Sequence, residues 1–377
     1  MTTRTEYDLV VVGAGFAGSV VAERAAQRLG WRVLVVEQRD HVGGNAADMI
    51  DANGVLVHRY GPHIFHTNSD AVWRYLGRFT KWLPYRHRVQ ASLGNTLVPL
   101  PFNLNSISRV FPLHRAREIS EALVSEYGAG AEISILRLRD NPNHAIRRLS
   151  TLIYEQVYLG YTRKQWGLSP DELDPSVTAR VPVRIGKNDE YFTDRFQGIP
   201  TDGYSALIER ILAHDNINLM LGTDYHDISP TIRGRLLVYT GTIDRFFDFR
   251  FGELPYRTLR IDFKHTRGPL LQSVAVVTHP GHAEYTRSTE YRHFTGQSAG
   301  GTTLSYEYPG PHLPGETTPY YPIPVPESRN RYRKYRDIAK TISNDVTFCG
   351  RLGRYQYLNM DQAVAQALAT VSRLART

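Results

Sequence analysis

Cysteine is nearly absent: the 377-residue chain has one, Cys349. No internal disulfide can form, and no metal cage built on paired cysteines is available. Cys349 closes an apolar run that starts at Val346, which reads as core rather than as a nucleophile. Long apolar runs are lacking too. Nothing approaches the ~18 consecutive apolar residues of a membrane-spanning helix, and the first strand pattern starts close to Met1 with no secretory leader ahead of it. The expectation is a cytoplasmic protein without a membrane span. Blocks of like charge are also scarce. The formal net charge is +8, from 45 basic and 37 acidic residues, but the basic residues are scattered. Only Arg329 to Arg336 is dense, and it reads as the solvated face of a helix rather than a nucleic-acid arm. Nucleic acid is therefore not an expected partner, and an anionic small molecule accounts for part of the excess. Repeats and low-complexity segments are missing. What remains, 41% hydrophobic and 22% charged residues, suits a globular chain long enough for two or three lobes.

The strongest signal is at the start. Asp8-Leu9-Val10-Val11-Val12-Gly13-Ala14-Gly15-Phe16-Ala17-Gly18 is a β-branched run ending in G-x-G-x-x-G, followed by an Ala-rich helical stretch from Ser19 to Arg28 and a second apolar run, Val33 to Glu37. Strand, glycine turn, helix and strand in that order form a dinucleotide fingerprint. Gly13 permits the tight turn, Gly15 admits a pyrophosphate to the backbone, and Gly18 lets the helix sit close on the sheet. The helix start, Phe16 and Ala17, then faces the phosphates with its positive end. Glu37, closing the second strand, is placed to accept from the ribose hydroxyls. The competing reading is a set of glycines serving only a tight turn.

Directly after Glu37 comes Gln38-Arg39-Asp40-His41-Val42-Gly43-Gly44-Asn45, where NAD enzymes ordinarily continue toward their next helix. Arg39 and the Gly43-Gly44 pair add a cation and backbone donors for a longer cofactor. FAD is favoured over NAD.

Farther along, Asp51-Ala52-Asn53-Gly54 marks a hairpin. His58, His63 and His66, close together beside Gly61-Pro62 and two aromatics, read as the wall of a flat ring site. Metal binding is disfavoured because no cysteine or acidic partner stands at ligand spacing. A helix from Ser69 to Phe79 and a hairpin across Gly94-Asn95 follow, and then the pattern turns helical from Asn103 to about Gly160. Strand patterns at Arg180–Ile185, Arg257–Phe263, Leu271–Thr278 and Thr302–Tyr308 suggest an antiparallel sheet. Ile217–Leu221, Leu236–Tyr239 and Val346–Cys349 return to the nucleotide domain, before a helix from Met360 to Leu374. The expected fold is α/β: a discontinuous Rossmann-like FAD-binding domain (1–80, 201–243, 341–377), an inserted helical lobe (101–175) and an antiparallel β-sheet domain (81–100, 176–200, 244–340).

One constellation stands out: Tyr161-Thr162-Arg163-Lys164-Gln165-Trp166-Gly167, Arg180-Val181-Pro182-Val183-Arg184, Tyr191, Tyr285-Thr286-Arg287-Ser288-Thr289-Glu290-Tyr291, Tyr320-Tyr321 and Gly350-Arg351-Leu352. Arginine forks bind phosphates bidentately, tyrosine hydroxyls donate to phosphate oxygens, and an exposed tryptophan offers a stacking face. Each of these tyrosines taken singly is equally well a packing residue. The ordered set G-x-G-x-x-G, R-x-x-x-G-G-N, G-P-H-I-F-H-T, Y-T-x-K-Q-W-G, R-x-P-V-R, Y-T-R-x-x-E-Y and G-R-L-x-x-Y-x-Y resembles the prokaryotic UDP-galactopyranose mutases over essentially the whole chain.

That resemblance implies a flavin-dependent, non-redox isomerisation between the pyranose and furanose forms of a nucleotide-diphosphate sugar, UDP-galactose or a related UDP- or dTDP-sugar. It implies reduced FAD as the active form, with flavin N5 attacking the anomeric carbon, and hence a reductant such as NAD(P)H or a reductase. By position in the motifs, Arg180 and Arg287 correspond to the diphosphate clamp and His63 to a histidine near the flavin. Tyr161, Tyr191, Tyr321 and Tyr357 correspond to phosphate-contacting tyrosines, Trp166 to a mobile-loop tryptophan beside the substrate, and Arg351 to a flavin contact; the loop after Gly167 is expected to close over substrate. Asn359 and Met360 fall in the last motif, at the substrate and cofactor respectively. The chain departs from the pattern twice. Val277-Thr278 stands where the family usually has Asn-Tyr, and Asn359 stands where it usually has Asp. A paralogue acting on another nucleotide sugar is one consequence, and neutral drift is the other. Outside this class, a redox flavoenzyme of the amine-oxidase type or a catalytically silent flavin-binding protein shares the N-terminal fingerprint. Oligomeric state is open, a homodimer being one arrangement.

Overall fold

Five short strands supply the platform. In the computed structural model, which describes residues 6–174, 181–342 and 345–375, Ile217–Met220, Val33–Val36, Glu6–Val12, Arg233–Tyr239 and Val346–Phe348 pair side by side in that order, all parallel. Alternation sends Leu9, Val11, Val33 and Val35 to one face, where the helices Phe16–Leu29, Gly203–Leu212 and Met360–Leu374 cover them. Val10, Leu34 and Val36 face the other side, against Tyr225 and Ile228. A parallel sheet covered on both faces needs such apolar runs, and each fully buried Val or Leu side chain contributes about 1.5–3 kcal/mol against chain entropy. The glycine turn fits as the motif requires. A Cβ on Gly18 would lie 1.9 Å from the Gly13 carbonyl oxygen, and Gly13 itself sits at φ +103°.

The second sheet has seven strands in the order Tyr321–Pro322, Tyr256–Arg267, Gly301–Pro311, Arg287–Glu290, Val276–Thr278, Val89–Leu93 and Thr96–Leu100. Every pairing is antiparallel except that of Val276–Thr278 with Val89–Leu93, which is parallel. Two strand expectations change. The stretch from Leu271 contributes only Val276–Thr278, because the main-chain N–H groups of Leu271 and Gln272 donate to the buried Glu290 carboxylate instead of to a neighbouring strand. Within Arg180–Ile185, the described strand is Val183–Arg184, and it pairs with Glu132–Ile133 of the helical lobe rather than joining the large sheet.

That lobe contains the helices Leu104–Val110, Leu113–Tyr127, Ile135–Arg139 and His144–Ile153. Asn103, Ser134 and Asn143 cap three of them, each accepting main-chain N–H groups left unpaired in a first turn. A π-helical stretch, Tyr154–Leu159, runs straight into the helix Gly160–Trp166. The Arg-rich segment forms the helix Pro326–Ala339, anchored inward by the fully buried Tyr335.

Candidate functional site

A cavity of about 990 Å³ opens at the C-terminal ends of the central parallel strands, beside the first strand, where the chain connections diverge to opposite sides and an α/β sheet offers its binding crevice. Every residue expected to hold a cofactor lines it except Gly18, which serves helix-to-turn packing. Glu37 closes the cavity's edge, its two carboxylate oxygens accepting from Ala14 N at 2.8 Å and Arg39 N at 3.0 Å. Gly15 and Gly44 approach so closely that a Cβ on Gly44 would meet Gly15 Cα at 3.0 Å. Arg39 donates to Asn45 Oδ1 at 2.8 Å and lies 4.5 Å above the Tyr60 ring, while its buried Nη1 has no hydrogen-bond partner among the described residues. A side-chain-free cradle, an uncapped helix N-terminus at Gly15 and an unsatisfied guanidinium nitrogen together fit the diphosphate of a dinucleotide such as FAD.

Next to this cavity lies a second group of side chains from distant segments. Arg287 and Glu307 stand opposite each other on adjacent antiparallel strands. Arg287 Nε and Nη2 donate to the same carboxylate oxygen, Glu307 Oε2, at 2.9 and 2.7 Å. Glu307 is fully buried, and its other oxygen, Oε1, has no partner among the described residues. Burial works against the guanidinium charge, but the facing carboxylate outweighs it and holds Arg287 protonated. Tyr321 and Tyr357 stack with ring centroids 5.3 Å apart; Trp166 stands 6.0 Å from each, and the Arg351 guanidinium lies 5.4 and 5.3 Å from their rings. Tyr161 is half-buried, close enough to Arg287 and Glu307 to feel their charges and near the Tyr191 and Tyr321 hydroxyls. Burial raises the pKa of the Tyr161 and Tyr321 hydroxyls, so both remain protonated donors at neutral pH.

His63 and Arg351 belong to both groups. Each lines the cavity, Arg351 touches the stacked tyrosines, and His63 feels the charges of both Arg351 and Arg287. Burial, reinforced by His58 and those arginines, lowers the His63 pKa to about 3. Its Nδ1 lies 2.7 Å from Gly61 O, which can only accept, so the neutral ring carries its proton there and leaves Nε2 as an acceptor.

Several expectations need correction. Of the three clustered histidines, only His63 lines the cavity. His58 is buried behind it, stacked on Phe294, and His66 turns away to Asp194 and the Phe192 ring. Trp166 is the last residue of a helix and only 8% exposed, so it is a packed wall of the tyrosine cluster rather than an open stacking face. Tyr191, by contrast, stays close to Tyr161, its ring packing edge-on against Phe192 and His87. Arg180 lies outside the described residues, as do the last residues of the loop expected to close. Asn359 lines the cavity and begins the helix Met360–Leu374, and Thr278 pairs with Arg287 in register, on the neighbouring strand. Near Arg287, two residues escaped sequence reasoning: Glu307, and His87, whose pKa burial, helped by the Arg287 charge, lowers to about 3; the cavity lining from 222–227 and 314–319 escaped it as well. The strand pattern around Glu307 was legible, but its register against Arg287 was not.

A glycine-turn parallel sheet, a long cavity at its strand ends and an adjoining cluster of cations and tyrosines define a dinucleotide-binding enzyme of flavoprotein type. Residues 11–79 match the NAD(P)-binding Rossmann-like domain, and residues 156–357 match the UDP-galactopyranose mutase family. The chain belongs to that family, and its enzyme class is the sugar mutases. It is 36% identical to a Klebsiella pneumoniae protein assigned as a UDP-galactopyranose mutase, over 96% of this chain and 93% of the relative. It is 32% identical to the dTDP-fucopyranose mutase of Escherichia coli, over 96% of each chain. Its fold matches a crystal structure of reduced UDP-galactopyranose mutase with a TM-score of 0.75 at 16% identity, covering 98% of this chain and 94% of the other. Among the described residues, no helix is long and apolar enough to cross a membrane.

Proposed function

We propose that this chain interconverts the pyranose and furanose forms of a nucleotide-diphosphate sugar, with reduced FAD seated in the large cavity. The carrying observation is that His63 and Arg351 border both the cavity and the Arg287 cluster. The fingerprint glycines, Glu37, Arg39, Asn45 and Met360 would hold FAD, which when bound in its reduced form supplies an electron-rich nucleophile for the anomeric carbon. Arg287, kept charged by Glu307, takes the negative charge that grows on the departing diphosphate. Tyr161, Tyr191, Tyr321 and Tyr357 donate to its oxygens. Neutral His63 offers Nε2 as an acceptor beside the ring site, and Trp166 holds the tyrosine pair in place. Arg180 would be the second arm of the clamp. A reductant, NAD(P)H or a reductase, keeps the cofactor active.

The sugar need not be galactose. The two departures from the family pattern, Val277-Thr278 and Asn359, fall beside Arg287 and at the cavity wall, and one relative is named for dTDP-fucopyranose. The test is to incubate dithionite-reduced protein with a panel of UDP- and dTDP-linked pyranoses and furanoses and follow interconversion by chromatography, with oxidised protein as control. Interconversion only by the reduced protein supports the proposal. Steady peroxide production with net substrate oxidation refutes it in favour of an oxidase, and inertness across the panel leaves a flavin-binding protein.

A further inference from the structure

The helix Gly160–Trp166 carries Tyr161 at one end and Trp166 at the other, and it is gripped by two cations whose partners are main-chain carbonyls. Lys164 Nζ donates to the carbonyl oxygens of Gly281, Ala283 and Tyr285 at 3.1, 2.8 and 3.3 Å, and also to that of His279. These carbonyls belong to the loop that enters the strand Arg287–Glu290, and Tyr285 is two residues from Arg287. One turn earlier, Gly160 lies so close to the same loop that a Cβ there would meet Pro280 O at 2.1 Å. At the other end, the buried Arg257 donates from Nε to Gln165 O at 2.8 Å and from Nη2 to Lys164 O at 3.0 Å, capping carbonyls that the helix cannot pair itself. Arg257 stands in register with Tyr321 on the adjoining strand.

We infer that Lys164 and Arg257 are positioning residues that set the width of the diphosphate pocket. Lys164 ties the helix to the Arg287 wall, and Arg257 ties it to the Tyr321 wall. An ammonium in a ring of carbonyls keeps its preferred geometry only while loop and helix stay together, so loss of either cation lets Tyr161 and Trp166 drift from Arg287. A misplacement of about 1 Å is enough to weaken a preorganised site.

Because this inference rests on the mutase proposal, its test separates the two. FAD-loaded wild type, Lys164→Met, Arg257→Met and Arg257→Lys are titrated with UDP and with dTDP by tryptophan fluorescence, and kcat and KM are measured on the nucleotide sugar that wild type turns over. Lys164→Met and Arg257→Met are expected to weaken nucleotide binding and raise KM about tenfold, with a smaller change in kcat and an unaltered flavin spectrum. Arg257→Lys, which keeps a cation at the helix end, is expected to recover most of the loss. In a Tyr161→Phe background, Lys164→Met is expected to add little, since the group it positions is already gone. Should Lys164→Met not fold, the Arg257 pair and its recovery by lysine decide alone. Unchanged binding in the folded methionine variants, or fully additive effects with Tyr161→Phe, overturns the inference. Wild type that binds neither nucleotide overturns the mutase proposal itself.

Discussion

The cofactor cavity and the Arg287 cluster lie side by side but are built on opposite principles. The cavity's phosphate end is made of backbone: Gly13, Gly15, Gly43 and Gly44 clear a surface, and Glu37 ties it together by accepting from Ala14 and Arg39. The cluster is made of side chains, with Tyr161 and Trp166 from the helical lobe, Arg287, Glu307 and Tyr321 from the large sheet, and Arg351 and Tyr357 from the C-terminal segment. A backbone site fails when side-chain bulk is added to it. A side-chain site fails when a charge loses its partner.

The largest effect expected from that contrast is Arg287→Ala, which should cut turnover on the order of 10²–10³-fold while FAD stays bound, as measured by kcat and the flavin absorbance of purified protein. Retained turnover would remove Arg287 from the clamp. Gly18→Ala should do the reverse. Its Cβ would collide with Gly13 O, costing about 1–3 kcal/mol, so the protein should purify with little flavin and a lowered Tm, while the fraction that holds FAD keeps near-normal turnover per flavin. Equal loss per flavin would show that the two regions are not separable.

Glu307→Gln comes next. Oε2 now takes both Arg287 hydrogen bonds, and a neutral amide leaves the half-buried guanidinium charge uncompensated, at a cost below the about 3–5 kcal/mol of losing one partner of a fully buried pair. The expected result is a fall in kcat/KM of about tenfold or more with FAD content unchanged; wild-type kcat/KM would show that Arg287 does not need its partner. The last effect is on stability and concerns pH. Burial lowers His58, His63 and His87 from 6.5 to about 3, so between these values the unfolded chain binds more protons than the folded one. Stability should be level above about pH 7 and decline as pH falls through 6.5 toward 3. Urea midpoints from pH 8 to pH 5 measure this, and a flat profile would contradict neutral buried imidazoles.

The same contrast explains what the sequence revealed. The fingerprint, the hairpins at Gly54 and Gly94, and the helix Met360–Leu374 are local patterns, and the structure has them where they were expected. The part of the cavity lining made by the glycine turn and the segment after it was legible for the same reason, whereas the lining from 222–227 and 314–319, remote in the chain, was not. Glu307 and His87 were not: Glu307 faces Arg287, and His87 comes near its charge, only across a fold that brings remote segments together. The three histidines misled because their spacing says nothing of direction, and the Val183–Arg184 strand because its partner is in the helical lobe.

Whether a diphosphate-gripping pocket opens onto the cofactor is decided by titrating UDP and dTDP into FAD-loaded protein while recording tryptophan fluorescence and the flavin difference spectrum together. At least one nucleotide is expected to change both signals with a single shared Kd, and Arg287→Ala to lose both. Nucleotide binding that leaves the flavin spectrum untouched, or signals that saturate at separate concentrations, would show that the pocket does not open onto the cofactor.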